Sequence, residues 1–474
     1  MVFSSILFLW ALFPVILVTY YLPLPRSKAE HRLKFQNFML VVFSLFFYAW
    51  GEPKYIFLML FSVLINFSFG LLIEQKKQKS LLLAFCVAAN LLLLGYFKYF
   101  NFFVEIWNQL AGSTAQLSVK TVALPIGISF YTFQALSYVV DVYRGENRAQ
   151  KSFLYMMLYI SFFPQLIAGP IVKYHDIERQ IEDRRVTLDD FCYGIKRFIL
   201  GLGKKVILSN TFAEVVDLAF AYHPANLSRR LLWGTAILYM LQIYFDFSGY
   251  SDMAIGLGKM FGFSFQENFL LPYTATSIRD FWRKWHVSLS SWFREYVYIP
   301  LGGNRKGTVR TYINLIAVFF LTGIWHGAGW TFIIWGFYHG FFNILERCFL
   351  GKWMGKGRWN ILEHIYTLFV VLIGWVIFRA PTFSYALDYI RYMFVPHECM
   401  LQAERFFSTK VTLYMIIGIL GSGIVQSLLR QKNFRFAADS RISLAGMAGY
   451  MAVMWLSLML LVNNTYNPFI YFRF

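Results

Sequence analysis

Long runs without charged side chains are the feature that most constrains this sequence. From Thr311 to Leu345 the chain has no Asp, Glu, Lys or Arg. A helix needs about 20 consecutive apolar residues to cross a bilayer, or fewer when anchoring residues flank it. The other clear charge-free runs are Ser4–Pro25, Tyr55–Ile73, Ser80–Phe97, Thr121–Val140, Ser152–Val172, Leu231–Phe245, His364–Phe378, Val411–Leu429 and Ile442–Val462, with Gln36–Gly51 as a shorter addition. The pattern predicts an all-α polytopic membrane protein with about ten to twelve transmembrane helices, several of them short or broken.

Composition supports this class and excludes another. Charged residues make up 15% of the chain and hydrophobic residues 58%, whereas soluble domains average about 25% charged. The net charge of +19 resembles that of a nucleic-acid-binding protein. The basic residues are spread over short loops between apolar runs, however, as the positive-inside rule expects. We therefore predict contact with a lipid bilayer and no nucleic-acid partner.

Loop charge predicts the orientation. Four Lys or Arg lie in Arg26–Lys34, one in Gly51–Lys54 and three in Glu74–Lys79. This alternation places the N-terminus outside, and the basic stretch 430–441 then marks a late cytoplasmic loop. Both termini of this multi-pass membrane protein are thus predicted to be extracytoplasmic. Residues 1–25 lack a basic start and an A-x-A cleavage site, which favours a retained first span over a signal peptide.

No soluble-enzyme signature is visible in this sequence. The four cysteines lie far apart with no metal-ligand or disulfide spacing, so no metal site is predicted. P-loop, dinucleotide, G-x-S-x-G and H-E-x-x-H motifs are absent. No internal repeat appears either, so we predict one membrane domain over residues 1–474. Its central zone, residues 151–350, holds nearly all the unusual polar patterns and is the predicted catalytic core.

His326 is the first chemical candidate. It lies inside the charge-free run, in the motif Thr322–Trp330, between Trp325 and Gly327. Ionisable groups at membrane depth are costly and usually functional, although a histidine bonded to a neighbouring helix is the structural alternative. Because imidazole titrates near neutral pH, His326 suits a general base in acyl transfer to an alcohol, and equally a proton relay in a transporter.

A charged and aromatic segment, Asp280–His286, precedes His326. On a continuous helix Trp282, Trp285 and Leu289 would share one face, as in an interfacial helix or the wall of a recess. His286 lies 40 residues before His326, and that spacing allows the two imidazoles to meet without requiring it. His339, 13 residues after His326, would lie nearly four turns away on a continuous helix and is predicted to be structural.

Two carboxylates, Asp246 and Asp252, follow the apolar run Leu231–Phe245. They could pair with Arg279 or Arg283, or cap a broken helix, and structural ion pairing is favoured. A glycosidase-like carboxylate pair is possible, but no second sequence signal supports it.

Two prolines and a glycine within Pro164–Pro170 predict a kinked or broken helix, which membranes tolerate where it lines a cavity. Pro125–Phe130 is a weaker case.

The motifs together resemble the membrane-bound O-acyltransferase family. The resemblance is carried by Phe163–Val172 (FPQLIAGPIV), Tyr244–Gly256 (YFDFSGYSDMAIG), Asn268–Pro300, Leu301–Gly307, Thr322–Trp330 (TGIWHGAGW) and the ending Asn467–Phe474 (NPFIYFRF). It is closest to the bacterial branch that serves alginate O-acetylation and teichoic-acid D-alanylation, which implies a location in the bacterial cytoplasmic membrane. It covers most of the chain and is most specific from Tyr244 to Gly340.

The resemblance implies a ring of helices around a central tunnel, with His326 as the essential catalytic histidine and His286 at a second active-site position. It implies no bound cofactor, with acetyl-CoA or an acylated carrier as cytoplasmic co-substrate. The acceptor would be an exported polysaccharide, reached through an extracytoplasmic acetyltransferase-like partner. We expect Trp325 and Trp330 to shape the apolar wall and Gly327 to leave room for the thioester arm. Further tunnel or substrate candidates are Trp282, Trp285, Asp246, Asp252 and Arg279.

Two other functions stay open at this point. One is D-alanyl transfer to teichoic acid from a carrier protein, which uses the same chemistry. The other is a secondary transporter, against which the lack of an internal repeat counts. A scaffold that holds partner proteins without catalysis is a third, weaker possibility.

Overall fold

The structure, a computed structural model, describes residues 1–22, 29–112, 115–352, 354, 360–425, 443–463 and 469–470. Within these residues the chain forms two compact units. Unit 1 comprises the described residues of Met1–Phe198 and Ser251–Gln266, and unit 2 those of Ile199–Tyr250, Glu267–Ala437 and Ser443–Phe474. That the whole chain acts as one domain stays a prediction.

The regular structure of the described residues is helical throughout, and only one isolated β-bridge, Leu227 with Leu401, occurs among them. The all-α prediction is thereby confirmed. In chain order the α-helices are α1 Phe13–Tyr21, α2 Ala29–Gly51, α3 Ile56–Gln75, α4 Lys79–Ala111, α5 Ile128–Arg144, α6 Phe153–Ser161, α7 Phe163–Leu166, α8 Tyr174–Glu182, α9 Leu188–Gly203, α10 Asn210–Phe220, α11 Arg229–Met260, α12 Ile278–Lys284, α13 Val287–Phe293, α14 Thr308–His326, α15 Trp330–Cys348, α16 Asn360–Arg379, α17 Phe383–Phe394, α18 Thr409–Ile419 and α19 Leu444–Asn463. Short π-helical segments are Phe8–Leu12, Lys204–Ser209, Arg294–Tyr298 and Leu420–Ile424, and 3₁₀ turns are Pro224–Asn226, Pro272–Thr274, Leu350–Lys352 and Ala403–Arg405.

Six helices of the described part are long and apolar enough to cross a membrane: α2 from Glu30, α3, α4, α14, α16 and α19. Two shorter apolar helices, Phe8–Tyr21 and Thr409–Ile424, accompany them. The chain is therefore a multi-pass membrane protein by helix length and composition. The count of ten to twelve spans, the ring around a tunnel and the orientation of the termini stay predictions. The basic stretch 430–441, Arg26, Lys28 and most of the segment Asn467–Phe474 lie outside the described residues.

The proline-rich run Ser152–Val172 is broken, as its sequence predicts. Helix α6 ends at Ser161, the four-residue α7 follows, and the backbone is irregular as far as Lys173. The run Thr121–Val140 likewise becomes helical only at Ile128. Gly127 precedes that helix with φ +78°, a left-handed conformation that glycine adopts without steric cost.

A helical hairpin of α14 and α15 positions His326 in unit 2. The two helices approach closely at Gly323 and Gly336, where a Cβ atom would collide with the backbone of Phe332 or Phe319 on the facing helix. Small residues allow such close approach of membrane helices, which pack by van der Waals contact because lipid supplies no hydrophobic drive between them. The hairpin turns at residues 327–329, directly after His326, the last residue of α14.

Candidate active site

His326 lies at the end of α14 in a box of aromatic rings. Its side chain is buried, and its ring packs edge-on against Trp335 with centroids 5.1 Å apart and against Phe378 at 5.3 Å. The neighbouring Trp325 ring lies at 5.0 Å. Such edge-to-face contacts fix the plane of the imidazole and keep bulk water from it. The structure therefore places His326 in an apolar and well-ordered setting.

His286 lies at a break in the backbone between α12 and α13. It adopts φ +46° and ψ +55°, and it is one of two non-glycine residues with positive φ among the described residues. This conformation costs of order 1 kcal/mol or more for a residue with a side chain, so surrounding contacts must hold it. Asn268 supplies such contacts through its Oδ1 atom, which lies 3.1 Å from His286 Nδ1.

The protonation pattern of the neutral His286 ring follows from Asn268. The Ser288 backbone N–H donates to Asn268 Oδ1 at 3.1 Å, and the Ser288 hydroxyl donates to it at 2.9 Å. A backbone N–H can only donate, so this atom of Asn268 is the acceptor oxygen. His286 Nδ1 must then carry its hydrogen towards Asn268, and Nε2 holds the lone pair. His286 is fully buried, and its Nε2 has no protein hydrogen-bond partner among the described residues.

Trp325 brings the two histidines together. The centroid of its ring lies 5.0 Å from that of His326 and 5.9 Å from that of His286. Phe247 packs edge-on against the His286 ring at 4.6 Å. Sequence spacing allowed this meeting of the histidines without requiring it, and both imidazoles now lie against one indole.

The tryptophans of Asp280–His286 are buried rather than interfacial. Trp282 packs against Trp335 at 5.6 Å, and Trp285 packs against Trp375 at 4.9 Å. The continuous helix expected through Trp282, Trp285 and Leu289 is wrong, since α12 ends at Lys284 and the left-handed His286 restarts the chain as α13. The break is what turns the imidazole towards Trp325.

His339 lies closer to the site than its spacing predicted. The expectation of nearly four turns assumed one helix through His326, but the hairpin folds α15 back along α14. His339 therefore packs on Trp335, the same ring that contacts His326, with centroids 4.9 Å apart. Its Nδ1 accepts a long hydrogen bond of 3.4 Å from Trp282 Nε1. A structural role for His339 stays a prediction.

The two carboxylates form ion pairs, as favoured, but with other partners. Asp246 lies 2.6 Å from Lys205 Nζ, and Asp252 receives both Nε and Nη2 of Arg197 at 3.0 and 2.7 Å. The pairing with Arg279 or Arg283 is therefore wrong. Helix capping is wrong as well, because α11 runs unbroken from Arg229 to Met260. Arg279 is exposed, and both carboxylates are buried.

Two further candidates have different surroundings. Trp330 is 56% exposed, so most of its ring does not face the protein interior. Gly327 lies directly against Phe332, and a Cβ atom at position 327 would collide with the phenyl ring. That Trp330 shapes an apolar wall and that Gly327 leaves room for a thioester arm stay predictions.

Sequence reasoning missed Asn268 and Glu346. The buried carboxylate of Glu346 accepts the backbone N–H groups of Ile278 at 2.6 Å and Arg279 at 3.1 Å. These are unpaired donors of the first turn of α12, and a negative charge there is favoured by the helix dipole. Glu346 thus fixes the helix that leads to His286. Its position as the first charge after the run Thr311–Leu345 was the available signal.

Comparison with known protein families decides the class of this molecule. The model of the membrane-bound O-acyltransferase family matches residues 45–354, which include both histidines and Asn268. The chain belongs to the membrane-bound O-acyltransferase family. It is therefore an enzyme of the acyltransferase class, as the sequence motifs predicted.

Several curated proteins are similar to this family member. The probable alginate O-acetylase of Pseudomonas putida is 44% identical over 81% of this chain and 79% of its own length. The peptidoglycan O-acetyltransferase of Helicobacter pylori is 37% identical over 83% of this chain and 80% of its own length. The teichoic acid D-alanyltransferase of Bacillus subtilis is a more distant relative, 29% identical over 60% of this chain and 76% of its own length.

The dependence of His286 on Asn268 gives a testable prediction. Replacing Asn268 by Ala removes the acceptor of His286 Nδ1 and of the Ser288 amide, and an unsatisfied buried donor costs about 1–3 kcal/mol. If that cost falls on the reactive geometry, we expect the acyl-transfer rate to fall roughly 5- to 150-fold. The rate is measured in membranes at matched protein abundance. Asn360→Ala, at an exposed position, is the control, and a wild-type rate for Asn268→Ala would contradict the assigned tautomer.

Proposed function

We propose that this acyltransferase moves an acetyl group from a cytoplasmic thioester donor to hydroxyl groups of an exported cell-surface polysaccharide. The observation that carries the proposal is the 44% identity, over 81% of the chain, with a probable alginate O-acetylase. A peptidoglycan O-acetyltransferase at 37% identity agrees in both the acetyl group and the glycan acceptor. The arrangement of His326 and His286 about Trp325 supplies the chemistry.

His326 acts as the general base in this proposal. It takes the proton of the acceptor hydroxyl as that oxygen attacks the thioester carbonyl carbon. A C–O bond forms, the C–S bond breaks, and the proton passes from the imidazole to the departing thiolate. Ester and free thiol are the products, so atoms and charge balance with no redox partner. The apolar box around His326 strengthens the electrostatic interactions of the charges that develop during the transfer.

His286 has a supporting part in the same step. Its Nε2 lone pair is buried and can accept a hydrogen bond from a reacting group or share the proton. The bond from Nδ1 to Asn268 holds the ring in the tautomer that this requires. His286 thus orients the acceptor hydroxyl or the donor, while His326 removes the proton.

The donor and acceptor are assigned to opposite sides of the cell membrane. Acetyl-CoA or an acylated carrier would reach the site from the cytoplasm through the predicted tunnel. The polysaccharide, or an extracytoplasmic acetyltransferase-like partner, would take the acetyl group outside. Loop charges of the first spans support this orientation.

The test uses membrane vesicles that contain the whole chain. Radiolabelled acetyl-CoA is supplied at the cytoplasmic face, and transfer of label to the polymer is followed with wild type and His326→Ala. Transfer that depends on His326 supports the proposal. Loss of polymer export in His326→Ala, with acetylation of whatever polymer remains, would instead favour the transporter. Intact transfer with both histidines replaced would favour the scaffold.

D-alanyl transfer is the second candidate, favoured by the 29% identity with a teichoic acid D-alanyltransferase. It uses the same base and the same thioester chemistry. The two are separated by supplying a D-alanylated phosphopantetheinyl carrier protein in place of acetyl-CoA. Release of D-alanine from the carrier, with no use of acetyl-CoA, would overturn the acetyl assignment.

A further inference from the structure

Helix α4 of unit 1 is longer than a membrane crossing requires. It has 33 residues, which at 1.5 Å per residue is about 50 Å, against a hydrocarbon layer of about 30 Å. Its charge-free run ends at Phe97, and the helix continues to Ala111 with Asn101, Glu105, Asn108 and Gln109 along one face. The last turns of α4 therefore extend beyond the apolar layer.

Two asparagines on this extension hold the following segment against the helix. The Asn101 side chain accepts the backbone N–H of Val122 at 2.9 Å and donates to its carbonyl at 2.7 Å. Asn108 makes the same pair of bonds with Leu117, at 2.7 and 3.1 Å. Each side-chain amide thus makes hydrogen bonds with both the backbone N–H and the backbone C=O of one residue, as a neighbouring β-strand would. The segment is fastened at two points without regular secondary structure.

The chain between the two fastened points is longer than the stretch of helix that it follows. Asn101 and Asn108 are seven residues apart on α4, which is about 10 Å along its axis. The five steps from Leu117 to Val122 can span about 17 Å when extended. This segment and the facing side of α4 together line a cavity of about 550 Å³ that is widely open to the surface. We call residues 117–122 the arch.

The lining of this cavity combines a mostly apolar surface, to which Val104, Leu117 and Val119 contribute, with several hydrogen-bonding groups. Glu105 and Gln109 contribute from α4, and Gln116, Ser118 and Thr121 contribute from the arch and the residue before it. The backbone N–H and C=O groups of residues 118–121 make no hydrogen bond within the described part of the protein, and these residues are exposed. A volume of this size lies within the range of small-molecule and cofactor sites.

The charge of the lining selects the class of ligand. Glu105 is the single charged residue among the lining residues of the described chain, and Lys120 of the arch is not one of them. Phosphate or uronate chains would meet the carboxylate of Glu105 at the lining, and like charges brought together are disfavoured. Amide, hydroxyl and free backbone groups instead match the hydroxyl and acetamido groups of an uncharged sugar.

We propose that the cavity between α4 and the arch binds an uncharged segment of the acceptor glycan. The inference rests on the proposed function, because a binding site for the acceptor glycan is useful only to an enzyme that modifies that glycan. The predicted orientation places the end of α4 outside, opposite the basic loop at Lys76–Lys79, on the side where that polymer lies. Holding the glycan there would raise the concentration of acceptor hydroxyls around the enzyme.

Binding is tested with the whole chain in lipid nanodiscs by isothermal titration calorimetry. The probes are the β-1,4-linked tetramer of N-acetylglucosamine, which is uncharged, and a mannuronate tetramer, which is anionic. We expect the uncharged probe to bind more tightly. Gln109→Ala should weaken that binding about fivefold by loss of one hydrogen bond, and Ser118→Trp, which fills the cavity, should abolish it. Glu105→Gln should strengthen binding of the mannuronate probe.

Gln78→Ala is the control for Gln109→Ala, because Gln78 is also exposed but lies directly before the first residue of α4, at the opposite end of the helix from the cavity. It should bind the uncharged probe as wild type does. His326→Ala should also bind the uncharged probe as wild type does, although it should be inactive in acyl transfer. Binding and activity are thus measured separately, so a failure of this inference can be told from a failure of the proposed function. Wild type that binds neither probe, or Ser118→Trp that binds like wild type, would overturn the site. Tighter binding of the mannuronate probe by wild type would overturn the assignment to an uncharged glycan.

Discussion

Replacing His326 by Ala should lower the rate of acyl transfer by at least about a hundredfold, because a positioned general base contributes roughly 10²- to 10⁴-fold. His326 packs against Trp325, Trp335 and Phe378, so its ring is already oriented before substrates arrive. The measurement is the initial rate of label transfer from acetyl-CoA in vesicles, normalised to protein abundance.

The controls separate lost chemistry from lost structure. His326→Ala leaves a cavity among three aromatic rings, so thermal unfolding is recorded beside activity. His326→Gln fills more of that space and should be equally inactive while unfolding nearer to wild type. His31→Ala makes the same change at an exposed position and should keep full activity. A His326 variant within tenfold of the wild-type rate would contradict the assignment of the base.

The sequence predicted the parts of this molecule that follow from local composition. The charge-free runs predicted helices, because a backbone in lipid must satisfy its own hydrogen bonds. Prolines predicted the break after α6, since proline removes a donor and disturbs the preceding turn. His326 could be singled out because ionisable groups are rare at such positions.

Contacts between distant residues could not be read from the sequence. The left-handed backbone at His286 is held by Asn268, 18 residues earlier, and no local pattern encodes that contact. His339 was placed too far from the site because its spacing was counted along one helix, whereas residues 327–329 reverse the chain. The partner of Asp246 was missed for a similar reason, since Lys205 lies on another segment and Arg279 was nearer in sequence. The local sequence pattern thus predicted the helices and singled out His326, whereas the contacts of His286, His339 and Asp246 depend on tertiary structure.

Removing the carboxylate of Asp246 should destabilise unit 2 more than any other single change considered for it. Asp246 Oδ1 lies 2.6 Å from Lys205 Nζ, with both side chains 2% exposed, and Oδ2 accepts the backbone N–H of Ile470 at 2.8 Å. Breaking a buried ion pair from one side typically costs 3–5 kcal/mol, roughly, because the remaining charge stays in a poor solvent. Asp246→Ala should therefore unfold at a clearly lower temperature and accumulate less in the membrane, since total stabilities are only about 5–15 kcal/mol.

A less buried pair of the same unit serves as the comparison. Arg379 Nη2 and Asp217 Oδ1 are 2.8 Å apart, and their side chains are each 19% exposed. Because water can reach this pair, Asp217→Ala should lower the unfolding temperature less than Asp246→Ala does. Equal unfolding temperatures for the two variants would contradict a special cost of the buried charge.

A double variant then distinguishes the contribution of Asp246 to stability from any contribution to acyl transfer. Replacing both charges, as Lys205→Met with Asp246→Leu, removes the buried ions together and should recover most of the lost stability, since apolar substitutes for a buried pair are often neutral or better. Coupling of this kind is measured by comparing the double variant with the two single ones. If Asp246 only holds α11 in place, the stable double variant should transfer acetyl groups at close to the wild-type rate. A double variant that is stable but inactive would instead indicate that Asp246 lies in the substrate path.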